Sequence, residues 1–453
     1  MRQIIIYLAL AFLTTLSFSS CKEDDKTVIN TDPTKDIVTL AQENGFTSLA
    51  EALTKAGLVD DLQAEGSMTV FAPTNAAFDA LLLEIGQTSI SDIPASVLQE
   101  ILLYHVVNSK VLSSEVTAGD VTTLEGTAIT LATDGGITVN GANVIAPFDV
   151  EATNGIIHTI DQVLVPSSVA QFVNTVLEPA YFSDNFTTLI AAASKAELVS
   201  TLLSTPNLTI FAPTNEAFTK SGIDPTALSK EQLVPVLTYH VLSTKVLSKD
   251  IPRMAPTLNT ANLYFSLVSA GNFINGSTEI KMVDIESGTG VVHVIDAVIL
   301  PPVGDVVETA VSISSNGDFK SLVAALLRTE NEGNGEQKLI TALKGMGPYT
   351  VFAPNDMAFQ ALLDGNEEWT TLNDIPLETL VEVLSYHVVP ARGYDKDLEG
   401  SVDMNNELPT LLGQPIKIDL MKLMVNDASI DVTNVHASNG VIHSIKKVLI
   451  PAK

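Results

Sequence analysis

The sequence predicts an α+β protein of three tandem domains, each a β-wedge or sandwich with helices packed against it. One ten-residue segment, residues 69–78, recurs at 209–218 and again at 350–359. The copies are 140 and then 141 residues apart, a period of domain size rather than of solenoid-repeat size. Within each period, helical patterns come early and short β runs come late, which is typical of an α+β domain.

The repeated segment itself predicts a strand that ends at a proline and is followed by a helix. The proline is directly followed by a polar pair, which is Thr-Asn in two copies and Asn-Asp in the third. The side-chain oxygens of this pair can accept from the free N–H groups of the helix start. A second phenylalanine then lies on the inner side of the helix. The leading phenylalanines and the prolines are predicted to be structural: Phe71, Pro73, Phe211, Pro213, Phe352 and Pro354.

The helices of the first domain are predicted from apolar periodicity. Residues 37–58 indicate an amphipathic helix pair, and 77–83 a further helix. After Ile93 a new helix is predicted, with Asp92 as its cap and Pro94 in its first turn. Its buried face carries apolar residues at intervals of four and ends at a histidine: Val97, Ile101 and His105.

A meander of short strands is predicted for the second half of the first domain. The runs are 111–112, 128–131, 137–139 and 144–145, separated by Gly-Asp, Asp-Gly-Gly and Asn-Gly turns. The last strand is predicted over 156–165. Because side chains alternate along a strand, His158 should share an inward face with Ile156 and Ile160.

Six of the seven histidines follow the repeat. A Tyr-His pair ends an apolar run in each copy, at Tyr104-His105, Tyr239-His240 and Tyr386-His387. A second histidine lies in each closing strand, at His158, His293 and His443, and only His436 stands outside the pattern. We expect neutral imidazoles hydrogen-bonded in the core, because a buried charge needs a partner. The Tyr-His pair could also form a small polar network with the strand histidine.

Phe-Ala-Pro-Thr-Asn-x-Ala-Phe, the Tyr-His pair and the closing Asn-Gly-x-x-His resemble the motifs of fasciclin-like (FAS1) domains, over residues 36–453. The resemblance implies adhesion. In that family the Tyr-His pair and a nearby Asp-Ile pair are linked to integrin recognition. The matching Asp-Ile positions are Asp92-Ile93 and Asp374-Ile375, whereas the second domain has the reversed Ile223-Asp224. The helix pattern favours the alternative that the Tyr-His residues determine the fold and affect binding only indirectly.

The domains are expected at 36–166, 167–302 and 303–453. Pro235 is predicted to shorten or kink the central helix of the second domain. The polar residues 328–338 predict an exposed loop in the third domain. Trp369, the only tryptophan, is interpreted as a partly buried loop anchor, with a partner contact as the alternative.

The N-terminus resembles that of a bacterial lipoprotein. Residues 1–20 have the layout of a signal peptide and precede Cys21, the only cysteine. The resemblance implies cleavage before Cys21, its lipidation, and a firm membrane anchor. Residues 22–26, Lys-Glu-Asp-Asp-Lys, resemble the surface-export tag of Bacteroidetes-type lipoproteins, and 21–35 should be a flexible tether. We therefore expect an outer-membrane lipoprotein that faces the cell exterior. A soluble secreted protein and an ordinary solvated tether are the alternatives.

Charge and motifs limit the possible functions. A formal net charge of −29 repels phosphate backbones and excludes nucleic-acid binding by charge. No metal-ligand spacing, phosphate loop or nucleophile elbow is present, so neither an enzyme nor a cofactor is expected. The predicted function is adhesion to cells, matrix or biofilm, with a protein or glycan partner. The alternative is a glycan- or nutrient-binding accessory lipoprotein, for which Trp369, Tyr394 and Tyr264 are the candidate exposed aromatic residues.

Overall fold

The computed structural model describes residues 34–401, 406–419 and 421–452. The predicted signal peptide, Cys21 and most of the tether lie outside the described residues. Three units follow one another along the chain, and each contains one seven-stranded sheet with helices packed on it. The predicted α+β class with three tandem domains is confirmed. We keep the expected ranges as names for the first, second and third domains.

The first domain has five helices and seven strands among its described residues. The helices are α1 (Ile37–Glu43), α2 (Thr47–Ala56), α3 (Val59–Gln63), α4 (Asn75–Glu84) and α5 (Ala95–Tyr104). The strands are β1 (Met68–Pro73), β2 (Val106–Val107), β3 (Gly119–Thr122), β4 (Ala128–Ala132), β5 (Thr138–Val139), β6 (Ala142–Ala152) and β7 (Gly155–Ile160).

The second domain has the same strand plan, but four helices rather than three precede its first strand. Its helices are α6 (Ser167–Ala170), α7 (Glu178–Tyr181), α8 (Thr187–Lys195), α9 (Val199–Ser204), α10 (Asn215–Lys220) and α11 (Lys230–Tyr239). Its strands are β8 (Thr209–Pro213), β9 (Val241–Leu242), β10 (Met254–Pro256), β11 (Asn262–Val268), β12 (Gly271–Ile274), β13 (Thr278–Ser287) and β14 (Gly290–Ile295).

The third domain follows the same plan. Its helices are α12 (Val306–Ser315), α13 (Lys320–Glu332), α14 (Leu339–Leu343), α15 (Asp356–Asp364), α16 (Leu377–Tyr386) and α17 (Asp395–Ser401). Its strands are β15 (Tyr349–Pro354), β16 (Val388–Val389), β17 (Glu407–Pro409), β18 (Pro415–Asp419), β19 (Met424–Val425), β20 (Ala428–Ala437) and β21 (Gly440–Ile445).

The repeated segment supplies a central strand of every sheet. In the first domain the strand order is β2-β1-β7-β6-β5-β4-β3, and β1 pairs in parallel with β7. All six residues of β7 are buried, because helices cover one face of the sheet and the folded-over meander covers the other. Ile156, His158 and Ile160 are buried, as predicted, and the residues on the opposite face of the strand are buried as well.

Several predictions about individual helices, strands and loops are wrong. Three helices rather than two precede β1, residues 111–112 form no strand, and the last strand ends at Ile160. The helix that contains Pro235 spans ten residues, as α5 and α16 do, so the proline does not shorten it. Residues 328–332 continue α13 instead of forming a loop, because Arg328 donates to the carbonyls of Leu372 and Ile375.

The polar pair after the proline caps two helices rather than one. Thr74 accepts from the N–H of Ala77 and caps α4, as predicted. Asn75 instead accepts from the N–H of Ser48 in the first turn of α2, and it donates to the carbonyl of Gly45. The second and third domains repeat this arrangement through Asn215 on Thr188 and Asp356 on Ser321. The motif therefore ties two helix starts together.

Candidate functional site

The Tyr-His tyrosines lie at the end of the central helix and fasten it to the meander. Tyr104 is 7 % exposed; its hydroxyl donates to the carbonyl of Ala128 at 2.9 Å and accepts from Asn140 at 2.8 Å. The equivalent hydroxyls make the same two kinds of bond. Tyr239 bonds Asn262 and Asn275, and Tyr386 bonds Pro415 and Asn426.

The adjacent histidines join the central helix to the segment that follows the last strand of each domain. His105 Nδ1 lies 2.7 Å from the carbonyl of Ile101, and Nε2 lies 2.8 Å from the N–H of Leu164. Nε2 must accept from that N–H, so the proton sits on Nδ1 and the ring is neutral. Burial lowers the pKa of His105 to about 4. His240 and His387 have the same two partners in their own domains, and burial also lowers each pKa to about 4.

The strand histidines take the opposite tautomer. His158 Nδ1 accepts from the N–H of Asp149 at 3.3 Å, so Nε2 donates to the carbonyl of Val111 at 2.8 Å. Burial lowers the pKa of the equivalent His293 and His443. Both ring nitrogens of each strand histidine bond backbone groups, so neither is left for the Tyr-His pair of its domain. The alternative of a polar network between them is therefore wrong, and each histidine makes separate contacts with the backbone.

The Asp-Ile positions are only partly accessible. Ile93 is 1 % exposed and Ile375 is 3 % exposed, so a partner can reach only the carboxylates. Asp92 does not cap α5, whose N-cap Pro94 makes no side-chain hydrogen bond. Asp374 accepts from the Thr370 hydroxyl and from the N–H groups of Thr371 and Thr370, and these hydrogen bonds lower its pKa.

His436, the histidine outside the repeat, lies between the second and third domains. Tyr394 Oη is 2.8 Å from its Nδ1, and Tyr239 Oη is 3.2 Å from its Nε2. Because Tyr239 already donates to Asn262, His436 donates through Nε2 and accepts from Tyr394 at Nδ1. Burial and the Arg392 guanidinium lower the pKa of His436 to about 3. Sequence reasoning missed this role, although the failure of His436 to fit the repeat was the available signal.

Aromatic side chains complete this junction. Tyr394 is 1 % exposed, which corrects its assignment as an exposed aromatic residue, and Tyr264 is half-buried under Arg392, whose Cζ lies 3.9 Å from the ring centroid. Trp369 is half-buried against the core of the third domain, as the loop-anchor interpretation predicted. None of the three candidate aromatic residues is fully exposed for stacking on a sugar ring.

The described residues contain no group of three or more His, Cys, Asp or Glu side chains that could hold a metal ion. Helices in the same residues fall short of the length and apolar character that a membrane crossing requires. The repeated tyrosines and histidines form hydrogen bonds that join the central helix to other segments of the same domain. The fold and these residues define a tandem-domain protein in which the repeated Tyr-His residues are buried and hydrogen-bonded within their own domains.

The chain belongs to the fasciclin family, since the model described as the fasciclin domain matches residues 44–166, 184–301 and 318–451. It is 30 % identical over 423 residues to the pig transforming growth factor-beta-induced protein ig-h3, which covers 90 % of this chain and 56 % of that protein. It is 28 % identical over 416 residues to human periostin, covering 90 % of this chain and 46 % of that protein. The chain therefore spans about half the length of these relatives.

Two further comparisons concern parts of the chain. Protein sll1483 of Synechocystis is 44 % identical over 138 residues, which cover 30 % of this chain and 76 % of that protein. A solved FAS1 domain pair from the insect cell adhesion molecule fasciclin I covers 61 % of this chain and 98 % of its own. The identity to that structure is 18 % and the TM-score is 0.29.

Proposed function

We propose that the protein is a surface-anchored adhesion lipoprotein that attaches to other cells, matrix or biofilm through its three FAS1 domains. The observation that carries this proposal is that three copies of one domain are joined by packed interfaces. Homologous domains at fixed spacing can hold several weak sites at high effective concentration, which raises avidity without any tight single contact. Membership in the fasciclin family supports the same function.

The contact between the first and second domains is mainly apolar. One hydrophobic cluster runs through the helices of both domains, and α6 lies against α5. Two polar contacts flank this cluster. Lys55 Nζ is 2.7 Å from Asp184 Oδ2, and the Ser168 hydroxyl donates to Glu100 at 3.1 Å. Because a buried apolar contact resists hinge motion, the two domains should move as one body.

The contact between the second and third domains is more polar. His436 and Tyr239 join the two cores, and Asn434 donates to the carbonyl of Gly276 at 3.1 Å. Arg253 lies 3.6 Å from Asp397 at the exposed edge. Such a junction fixes orientation through directional bonds, and so favours a defined spacing of the outer domains.

The binding surface is expected on exposed loops, because the repeated motifs are buried. A partner cannot touch Tyr104, His105 or their equivalents without unfolding the domain that holds them. Loops on a rigid scaffold commonly carry recognition in proteins. The glycan-capture alternative gains little support, since Tyr394 is buried and Tyr264 is half-covered by Arg392.

Adhesion is tested with residues 26–453 immobilised through the N-terminus and exposed to whole bacteria, matrix proteins and polysaccharides. We expect saturable binding to cells or protein, and binding at least tenfold weaker for a folded chain that ends at residue 302, since one domain's contribution is lost. Selective binding of one soluble glycan, with no attachment to cells or protein, would sink the adhesion proposal and favour nutrient capture.

The importance of domain spacing is tested by a matched pair of glycine substitutions. A Cβ at Gly276 would lie 2.6 Å from Tyr394 Cβ across the junction, whereas one at Gly141, the equivalent turn glycine of the first domain, meets no atom within 4 Å. Both have positive φ, +76° and +89°, so Gly276→Ala and Gly141→Ala incur comparable local strain. We expect a several-fold loss of multivalent binding for Gly276→Ala alone. Equal binding by both variants would show that spacing is unimportant.

The lipid anchor is tested at Cys21. We expect the parent chain to incorporate labelled palmitate and to fractionate with the outer membrane, with its domains accessible to added protease on whole cells. Cys21→Ser should abolish labelling and release the chain, because the acyl chains supply the membrane affinity. Retention of the variant in the membrane fraction would contradict lipidation at this residue.

A further inference from the structure

A cavity in the first domain lies between the segment 109–121 and the sheet. Its volume is about 210 Å³. Apolar side chains form its inner wall, namely Phe71, Val107, Val116, Val121 and Leu131. Exposed Ser109, Glu115 and Thr117 form its rim, so the cavity opens to solvent.

The equivalent place in the other two domains can be found through one repeated hydrogen bond. The Thr69 hydroxyl accepts from the N–H of Val111, and the equivalent threonines accept from Val246 and Gly393. Each of these three residues also gives its carbonyl to the strand histidine of its domain. Counting five residues onward from them gives three corresponding positions: Val116, Ile251 and Leu398.

These three side chains fill the place to different extents. Ile251 is 6 % exposed and Leu398 is 2 % exposed, and both belong to the meander-side core of their domains. Val116 is smaller and only half-buried. The second domain therefore closes with an isoleucine, and the third with a leucine, where the first has a valine that leaves space.

A neighbouring wall position differs in the same sense. Leu131 faces Val139 across the β4–β5 ladder, and Phe265 faces Ile274 at the equivalent place in the second domain. The Phe265 ring lies 5.5 Å from that of Phe211 and packs into the core. Leucine cannot reach as far as phenylalanine, so the first domain has less apolar volume than the second at two positions, whereas the third domain has Ile418 at the equivalent of Leu131.

Polar groups in the cavity wall already have partners. His158 uses Nε2 on Val111 and Nδ1 on Asp149, and Thr69 bonds Ser109 and Val111. A charged group inside would lose its hydration without gaining a partner, which is costly. The Glu115 carboxylate at the rim adds repulsion toward anions. The wall therefore selects a neutral apolar occupant.

We propose that this cavity is a binding site for a neutral, branched aliphatic group of about six carbons. The sister domains fill the same place with aliphatic side chains, and a cavity of about 150 Å³ is enough to hold a benzene-sized molecule. The group can come from a leucine-like side chain of a partner protein or from a small free molecule. This inference goes beyond the proposed function, because it needs only the first domain and holds whether or not the protein mediates adhesion.

The test uses residues 26–453 and follows methyl NMR signals of Val107 and Val121 during titration. The probes are 4-methyl-1-pentanol, for a free molecule, and N-acetyl-leucine amide, for a side chain. We expect saturable shifts with at least one probe. Stronger binding of the amide assigns a protein source, and stronger binding of the alcohol assigns a free molecule.

Exchange of the two side chains between domains is the matched control. The double variant Val116→Ile, Leu131→Phe fills the cavity and should bind the probes at least tenfold more weakly, with a raised melting temperature. The reverse change, Ile251→Val with Phe265→Leu, should add a second site, seen as new shifts at the Val246 methyl groups. Undiminished binding by the filled variant, or no saturable shift in the parent, would overturn the proposal. If the reverse variant is unfolded, the filled variant alone decides the question.

Discussion

Replacing Gly155 by alanine is expected to destabilise the first domain by about 4 kcal/mol or more, the range of the most damaging single substitutions. A Cβ at this position would lie 2.2 Å from the carbonyl oxygen of Met68 and 2.8 Å from Ile37 Cδ1. Gly155 pairs with Met68 at the start of the parallel β1–β7 ladder, so backbone rather than a flexible side chain would have to move.

The other domains contain the same close approach. A Cβ at Gly440 would lie 2.5 Å from the carbonyl oxygen of Tyr349, and one at Gly290 would lie 2.9 Å from that of Leu208. Each glycine begins the closing strand of its sheet. Only a residue without a side chain lets this strand sit directly beside the repeated segment.

Urea unfolding of the three-domain chain, followed by circular dichroism, measures this effect. The control is Gly66→Ala, because a Cβ there meets only Met68 side-chain atoms at 3.8 Å or more. We expect Gly66→Ala to change stability by less than about 1 kcal/mol. A Gly155→Ala protein as stable as the control would contradict the close approach of the two strands.

The second large effect is a loss of stability on acidification, caused by the buried Tyr-His histidines. Burial lowers the pKa of His105, His240 and His387 from the usual 6.5 to about 4, because a charged ring would lose water and its accepted hydrogen bond. Between about pH 4 and pH 6.5, these histidines therefore bind protons in the unfolded chain but not in the folded chain. The contribution of the neutral histidines to the free energy of unfolding is fully present above about pH 6.5 and is lost as the pH decreases to about 4.

The size of this effect follows from the pKa difference. One pKa unit corresponds to about 1.4 kcal/mol, so each domain should lose on the order of 3 kcal/mol across this window. Natural domains have only about 5–15 kcal/mol of stability. Acidification also reduces the self-repulsion of a chain with net charge −29, which opposes the loss. Salt at about 0.5 M screens that repulsion and isolates the histidine effect.

Urea unfolding midpoints at pH 8, 7, 6 and 5 in high salt measure the acid effect. We expect little change between pH 8 and 7, and a steepening fall below pH 6.5. His105→Gln should lower the proton uptake on unfolding of the first domain by about one and leave the other domains unchanged. A midpoint that is constant from pH 8 to pH 5 would show that these rings bind protons as readily in the folded chain as in the unfolded chain, which would contradict the lowered pKa.

The sequence by itself determined the architecture, because the repeated segment and the apolar residues of the helices recur at fixed intervals. The fixed spacing of the repeated segment predicted three α+β domains, and the intervals of four from Val97 to His105 predicted a buried histidine. These signals depend on helix and strand geometry alone, so no tertiary contact is needed to read them. The capping role of Thr74 belongs to the same class, since its partner is only three residues away.

Tertiary structure alone decided where the remaining polar groups find their partners. Asn75 caps a helix that begins 28 residues earlier in the chain, and Arg328 turned an expected loop into helix by bonding carbonyls more than 40 residues away. Tyr394 is buried and His436 is half-buried at the junction with the second domain. The cavity beside Val116 depends on side-chain volume summed over separate strands. Contacts between distant segments leave no periodic trace in sequence, which is why the structure was required to find them.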